Sequence, residues 1–165
     1  MEGKKNKPRA LLVFGAPCSG KTTFAEKFAN KFDLAFCDLE EYKRQTGLSD
    51  DQIRLALELV TKTRKNVIIE GILSTEEDRR LMRNIFINAG YTSALIWIQT
   101  DVSTIKNRMK FRYKSMTKAK DAYEEFVGST EAPTDLEKPI ILSGKHTFET
   151  QTKHVLAGLA NGNRR

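Results

Sequence analysis

Residues 10–14, Ala-Leu-Leu-Val-Phe, form an uninterrupted apolar run, and the eight residues after them read Gly-Ala-Pro-Cys-Ser-Gly-Lys-Thr. A short aliphatic run of this kind suits a strand buried on both faces. Beyond the glycine-rich segment, Phe24, Ala25 and Phe28 recur at helical spacing, which predicts a helix over residues 21–31. The chain must then pass from a buried strand through a tight loop straight into a helix. Gly15 and Gly20 leave the loop backbone free to wrap closely round a small group. Successive N–H groups in such a loop form a concave anion nest, and the helix start adds unpaired donors and the positive end of its dipole. G-x-x-x-x-G-K-[ST] in this strand–loop–helix setting predicts a cradle for the phosphates of a nucleoside triphosphate.

The expected triphosphate is ATP with Mg²⁺. Gly15, Ala16, Pro17, Cys18, Ser19, Gly20, Lys21, Thr22 and Thr23 make up the predicted phosphate site. Lys21 is expected to reach the β- and γ-phosphates, the Thr22 hydroxyl to ligate Mg²⁺, and Thr23 to touch the α-phosphate.

Four further runs read as strands, at residues 34–38, 66–70, 93–99 and 139–143, the first of them the weakest. Helical patterns alternate with them over residues 39–45, 49–61, 75–89, 102–114, 118–127 and 147–160. Ser49 with Gln52, and Ser74 with Glu77, read as capping boxes, Asp101 as a cap, and Gly90 as a helix stop. Strands alternating with helices predict one α/β domain over residues 1–165, with helices on both faces of a parallel sheet and flexible tails at 1–8 and 161–165. No apolar run approaches the roughly 20 residues of a membrane span, and no signal-peptide pattern follows the basic N-terminus, so a cytoplasmic protein is expected.

The net charge of +7 is unevenly spread. Residues 11–100 hold twelve basic and twelve acidic side chains, whereas residues 101–120 hold seven basic and one acidic. That distribution argues against a general nucleic-acid-binding surface and singles out the short basic segment. There Val102, Ile105, Met109 and Tyr113 make an apolar helical stripe, Arg108 and Arg112 share one flank, and Lys106, Lys110 and Lys114 the other. Two carboxylates end strand candidates: Asp38 after residues 34–37 and Glu70 after residues 67–69. In an open parallel sheet ligands gather at these carboxyl ends. Asp38 also suits a helix N-cap. Glu70 suits either a Mg²⁺-bound water or a structural cap.

Taken together, the loop at 15–22, the aspartate ending the second strand, the acid ending the third, the arginine-bearing helix after the fourth and Glu131-Ala132-Pro133 before the last strand make the chain resemble the small single-domain P-loop kinases. That group includes adenylate kinase, adenylyl-sulfate kinase, chloramphenicol phosphotransferase, zeta toxins and the kinase domain of polynucleotide kinases. The resemblance covers nearly all of residues 9–160. It implies a three-layer fold with a five-stranded parallel sheet in order 2-3-1-4-5. It implies that Asp38 takes the proton of an acceptor hydroxyl, and that residues 101–127 form a lid whose Arg108 and Arg112 close over ATP. The usual aspartate of the Walker B position is replaced here by Glu70.

The reaction expected is phosphoryl transfer from ATP to a hydroxyl or phosphate acceptor, with Lys21, Asp38, Arg108 and Arg112 as catalytic residues and Thr22 and Glu70 at the metal. The adenylate-kinase pattern after the third strand is absent, since Glu70-Gly71-Ile72-Leu73 stands there. The basic lid places a polynucleotide 5′-hydroxyl or a nucleoside-like acceptor slightly ahead of sugars and antibiotics. Lys43, Arg44, Arg79 and Arg80 are candidates for the acceptor side, or for surface salt bridges. Glu40 and Glu41 read as solvated, His146 and His154 as ordinary helix residues, and Trp97 as core. Cys18 and Cys37 read as reduced thiols, with a redox brake at Cys18 as the sharper alternative. The competing function is an ATPase or nucleotide-dependent switch.

Overall fold

The computed structural model describes residues 7–162. Its strands are β1 (Arg9–Gly15), β2 (Ala35–Asp38), β3 (Val67–Glu70), β4 (Thr92–Gln99) and β5 (Ile140–Ser143), all parallel and ordered β2-β3-β1-β4-β5. The helices are α1 (Lys21–Phe32), α2 (Leu39–Thr46), α3 (Asp50–Lys62), α4 (Glu76–Asn88), α5 (Val102–Tyr113), α6 (Met116–Ser129) and α7 (Phe148–Gly162). This is the sheet order that the resemblance implies.

Side chains of alternate strand residues leave opposite faces of the sheet, so each strand feeds two cores. Ala10, Leu12, Phe14, Val67 and Ile69 pack with Ile53 and Leu57 of α3 and Met82 and Phe86 of α4. Leu11, Val13, Ile68, Ile96 and Leu142 pack with Phe24 and Phe28 of α1 and Val155 of α7. Burial on both faces is why these strands read as continuous apolar runs. A third, smaller cluster of Ile105, Met109 and Ala119 joins α5 to α6, with Ala16 and Cys18 packed against it.

Several boundaries differ from expectation for physical reasons. The α4 capping box is Thr75 with Asp78, one residue later than Ser74 with Glu77: Thr75 Oγ1 accepts from the Asp78 N–H at 3.1 Å and Asp78 Oδ2 from the Thr75 N–H at 3.2 Å. The Ser74 carbonyl instead accepts the Glu131 N–H, which draws Ser74 into a tertiary contact. Ser115 caps α6, so that helix starts at Met116 rather than Lys118. The expected tails at 1–8 and 161–165 lie partly outside the described residues. Pro8 is buried and its carbonyl accepts the Thr92 N–H at 2.9 Å, while α7 runs on to Gly162. No helix among the described residues is long and apolar enough to cross a membrane.

Candidate active site at the carboxyl edge of the sheet

The loop after β1 is shaped by close backbone approaches. A Cβ on Gly15 would lie 2.4 Å from the Ile98 carbonyl oxygen, so a larger residue would push β4 and the loop apart. Gly20 takes φ +102 at the α1 N-cap, where no side chain caps the helix. The first-turn N–H groups are left for another acceptor. Ser19 donates its N–H to the Ala16 carbonyl, closing a turn, and Cys18 sits in the left-handed region at φ 60.

Lys21 Nζ donates to the Ala16 carbonyl at 3.2 Å and lies 3.7 Å from Glu70 Oε1. Thr22 Oγ1 donates to the same Glu70 oxygen at 2.8 Å, while Glu70 Oε2 is buried without a partner among the described residues. Burial pushes the Glu70 carboxyl above its ordinary range against the pull of Lys21 and Thr22. Burial also pulls the Lys21 ammonium below its usual value, with Glu70 opposing. A lysine, a threonine hydroxyl and an unsatisfied carboxylate oxygen thus meet at the mouth of an anion nest. The oxygen donors suit a hard divalent cation. No group of three or more His, Cys, Asp or Glu side chains among the described residues could hold a metal ion alone, so most of its ligands would have to come from a bound phosphate and water.

Asp38 is the register partner of Glu70 across β2 and β3. Its Oδ1 accepts the Glu41 N–H at 3.0 Å and caps α2, so the cap and the site position coincide. From the other side, Arg108 Nη1 donates to the Cys18 carbonyl at 3.2 Å and Nη2 to the Gly144 carbonyl at 3.3 Å. Arg108, Arg112, Lys21, Thr22, Asp38 and Glu70 all line one cleft of about 1090 Å³. Pro17, Cys18, Gly20 and Thr23 line it as well. Gly15, Ala16 and Ser19 do not. Ala16 packs toward α5 and α6, and Ser19 is fully buried, so these two offer the cleft backbone at most.

The remaining candidates divide between the cleft and ordinary structural roles. Lys106, Lys110 and Lys114 do not line the cleft, and Lys106 lies instead over the Tyr123 ring. Arg79 is not on the surface: it is 2% exposed and binds Glu137 through Nε at 2.6 Å and Nη2 at 3.0 Å. Arg80 pairs with Glu77 in solvent, Lys43 with Asp50 at 2.6 Å, and Arg44 with Glu41. Glu40 is exposed but engaged: its Oε1 accepts the Ile72 N–H at 3.1 Å. Gly71 and Ile72 are both left-handed there, at φ 95 and 54, and a Cβ on Gly71 would lie 2.8 Å from Glu40 Cγ. Burial pushes the Cys37 thiol up, away from reactivity. Trp97 is half-buried beside the first core.

Sequence reasoning missed the far end of the cleft, formed by Lys27, Gly144, His146, Phe148 and Gln151. His146 precedes α7, with its ring 5.8 Å from that of His154. A Cβ on Gly144 would lie 2.3 Å from the Ser19 carbonyl oxygen, so the segment after β5 rests directly on the phosphate loop. The available signal was positional: the loop after β5 opens at the same carboxyl edge as the loop after β1.

No protein-family model and no curated protein matches this chain by sequence. Solved structures share its fold. A gluconokinase from Sinorhizobium meliloti 1021 aligns with a TM-score of 0.68 at 18% identity, over 94% of this chain and 93% of that one. The APS kinase of Mycobacterium tuberculosis in complex with AMPPNP and APS aligns with 0.67 at 16% identity, over 93% and 98%. Kti12 of Chaetomium thermophilum in complex with ADP-AlF3 aligns with 0.67 at 17% identity, over 92% and 97%. The chain has the fold of small P-loop kinase domains, and at these identities the likeness speaks for the fold alone.

Proposed function

We propose that this chain is a phosphotransferase that moves the γ-phosphoryl group of ATP to an acceptor hydroxyl. The observation that carries the reading is the meeting of Lys21 and Thr22, two arginines from α5 and the Asp38 carboxylate in a single cleft. A nucleotide trap needs only the first of these.

The N–H groups at the start of α1 and the Lys21 ammonium take the phosphate oxygens, with Lys21 leaving its contacts to Ala16 and Glu70. Thr22 and Glu70 would hold a divalent cation, which when bound neutralises phosphate charge. Arg108 bridges the phosphate loop and Gly144, while Arg112 lines the cleft on the same helix. Their guanidinium donors match charge developing on the transferring group. Asp38 keeps one oxygen on the α2 N-terminus and has the other for the acceptor. The acceptor oxygen bonds to the γ-phosphorus as the bond from that phosphorus to the β–γ bridging oxygen breaks. ADP departs with the bridging oxygen, and the hydroxyl proton passes to Asp38. Most of the catalysis is positioning and charge stabilisation, so Asp38 orients as much as it deprotonates.

The test is ADP release from Mg-ATP, with and without acceptors, for the native chain and Asp38→Asn. Acceptor-stimulated release that Asp38→Asn abolishes supports transfer. Release indifferent to every acceptor, and unchanged in the variant, would move the reading to an ATPase or nucleotide switch.

A further inference from the structure

We infer that the phosphoryl acceptor is a hydroxyl compound without an anionic group, either an uncharged polyol or an amino alcohol, held by the carboxylates of Asp38 and Glu40. This rests on the kinase reading above and narrows it. On the β2 and β3 side of the phosphate loop the cleft is lined by Asp38, Glu40, Glu41 and Glu70, with Lys43 and Arg44 of α2 as the cations from those elements. Both cations are already matched, Lys43 by Asp50 and Arg44 by Glu41. The arginines after β3 are also committed: Arg79 is buried on Glu137, and Arg80 pairs with Glu77. Asp38 and Glu40, by contrast, have no cation within salt-bridge distance among the described residues, as those pairings show.

Each of these two carboxylates is anchored through one oxygen, Asp38 Oδ1 to the Glu41 N–H and Glu40 Oε1 to the Ile72 N–H. The second oxygen of each is left for another donor. Asp38 is the N-cap of α2 and Glu40 stands two residues further on, so both leave the same helix end. A second observation points to a ligand here: Glu70 is 5% exposed, lines the same cleft and has its buried Oε2 unpartnered. The acids are not a metal cage in themselves, since no such group of three is present among the described residues. Two fixed carboxylate acceptors favour a partner bringing two O–H or N–H donors. A phosphate or carboxylate on the acceptor would meet like charge at Asp38 and Glu40, and the cleft cations outside carboxylate pairs, Lys27, Arg108 and Arg112, stand on α1 and α5 rather than on the elements that carry these acids. The lysines that favoured a polynucleotide lie outside the cleft.

The experiment measures transfer of labelled γ-phosphoryl at millimolar acceptor. Glucose, glucosamine and gluconate present one carbon skeleton in three charge states. Myo-inositol and adenosine extend the uncharged arm, kanamycin the cationic arm, and AMP and a 5′-hydroxyl oligonucleotide the anionic arm. Glu40→Gln is run alongside, because its amide oxygen can still accept the Ile72 N–H and keep the loop in place. The expected result is transfer confined to the uncharged or cationic arm, with Glu40→Gln raising acceptor KM at least about tenfold and leaving ATP KM unchanged. Comparable transfer to the anionic arm, or an acceptor KM indifferent to Glu40→Gln, overturns the inference while leaving the kinase reading intact. Lys21-dependent ATP binding with no transfer in any arm overturns the kinase reading, and the inference falls with it.

Discussion

Replacing Arg79 by alanine tests whether this residue is a fold element or an acceptor ligand. Its guanidinium donates twice to Glu137, at 2.6 and 3.0 Å, and through Nη1 to the carbonyls of Leu73 at 3.1 Å, Ser74 at 3.3 Å and Glu131 at 2.9 Å. It also lies 5.1 Å from the Phe14 ring centroid. One side chain therefore ties together the β3–α4 loop, the segment before β5 and the centre of the sheet. Truncation leaves a mostly buried carboxylate and the Leu73 and Glu131 carbonyls short of a donor, while the Ser74 carbonyl keeps the Glu131 N–H. Breaking a buried pair this way costs on the order of 3–5 kcal/mol. At roughly 2–4 °C per kcal/mol for a chain of this size, the melting temperature should fall by about 6–20 °C. Thermal unfolding read by circular dichroism measures it directly. Glu137→Gln should cost less, and the double variant should show coupling of at least about 1 kcal/mol. Acid should mimic the effect. Burial alone would raise the Glu137 carboxyl, but Arg79 and the Thr134 N–H outweigh it and hold it below its ordinary value. The stabilisation is then full above the unfolded glutamate value near about 4.3 and is lost as pH falls through the lower folded value. A melting point within about 2 °C of native for Arg79→Ala, with a raised acceptor KM, would refute this reasoning and return Arg79 to the acceptor.

Three further outcomes are expected. Lys21→Ala should abolish nucleotide-dependent turnover while the chain still folds; retained turnover would sink the phosphate-loop assignment. Asp38→Asn should keep the α2 cap, since asparagine caps as well as aspartate, and keep ATP affinity while lowering transfer by about 10²–10⁴-fold. A rate within twofold or so of native would remove Asp38 from the mechanism. Gly144→Ala should weaken ATP binding by about tenfold or more and destabilise by about 1–3 kcal/mol, because the new Cβ would lie 2.3 Å from the Ser19 carbonyl oxygen. Native affinity by titration calorimetry would show that the loop after β5 yields freely.

The elements that were legible in the sequence share one property: their signal is local. The central strands β1 and β3 were plainest because burial on both faces leaves almost no polar residue in them, whereas the edge strand β2, only partly buried, gave the weakest signal. The Ser49 and Gln52 box was visible because both partners lie within one helical turn. The α4 box lies one residue later than expected because Ser74-Glu77 and Thr75-Asp78 are equivalent locally, and the contacts that distinguish them, Ser74 with Glu131 and Asp78 with Arg54, come from elsewhere in the chain. Arg79 was misplaced although its spacing from Met82 and Phe86 put it on the buried face of α4, since an arginine there makes sense only once Glu137 is seen opposite.

The sequence by itself determined the phosphate loop, because a run of eight residues carries its own geometry: glycines where the backbone crowds, a lysine and a threonine at the first turn of a helix. It also put Asp38, Glu70 and the arginines of α5 on separate elements with chemistry suited to phosphate. The tertiary structure alone decided which of them share a cleft, which cations are spent on neighbouring acids, and that Glu40 bridges to Ile72 across 32 residues of chain. The physical reason is range. Backbone conformation is set over one turn of helix or one strand, whereas the availability of a charge depends on every group that folding brings within a few ångströms of it.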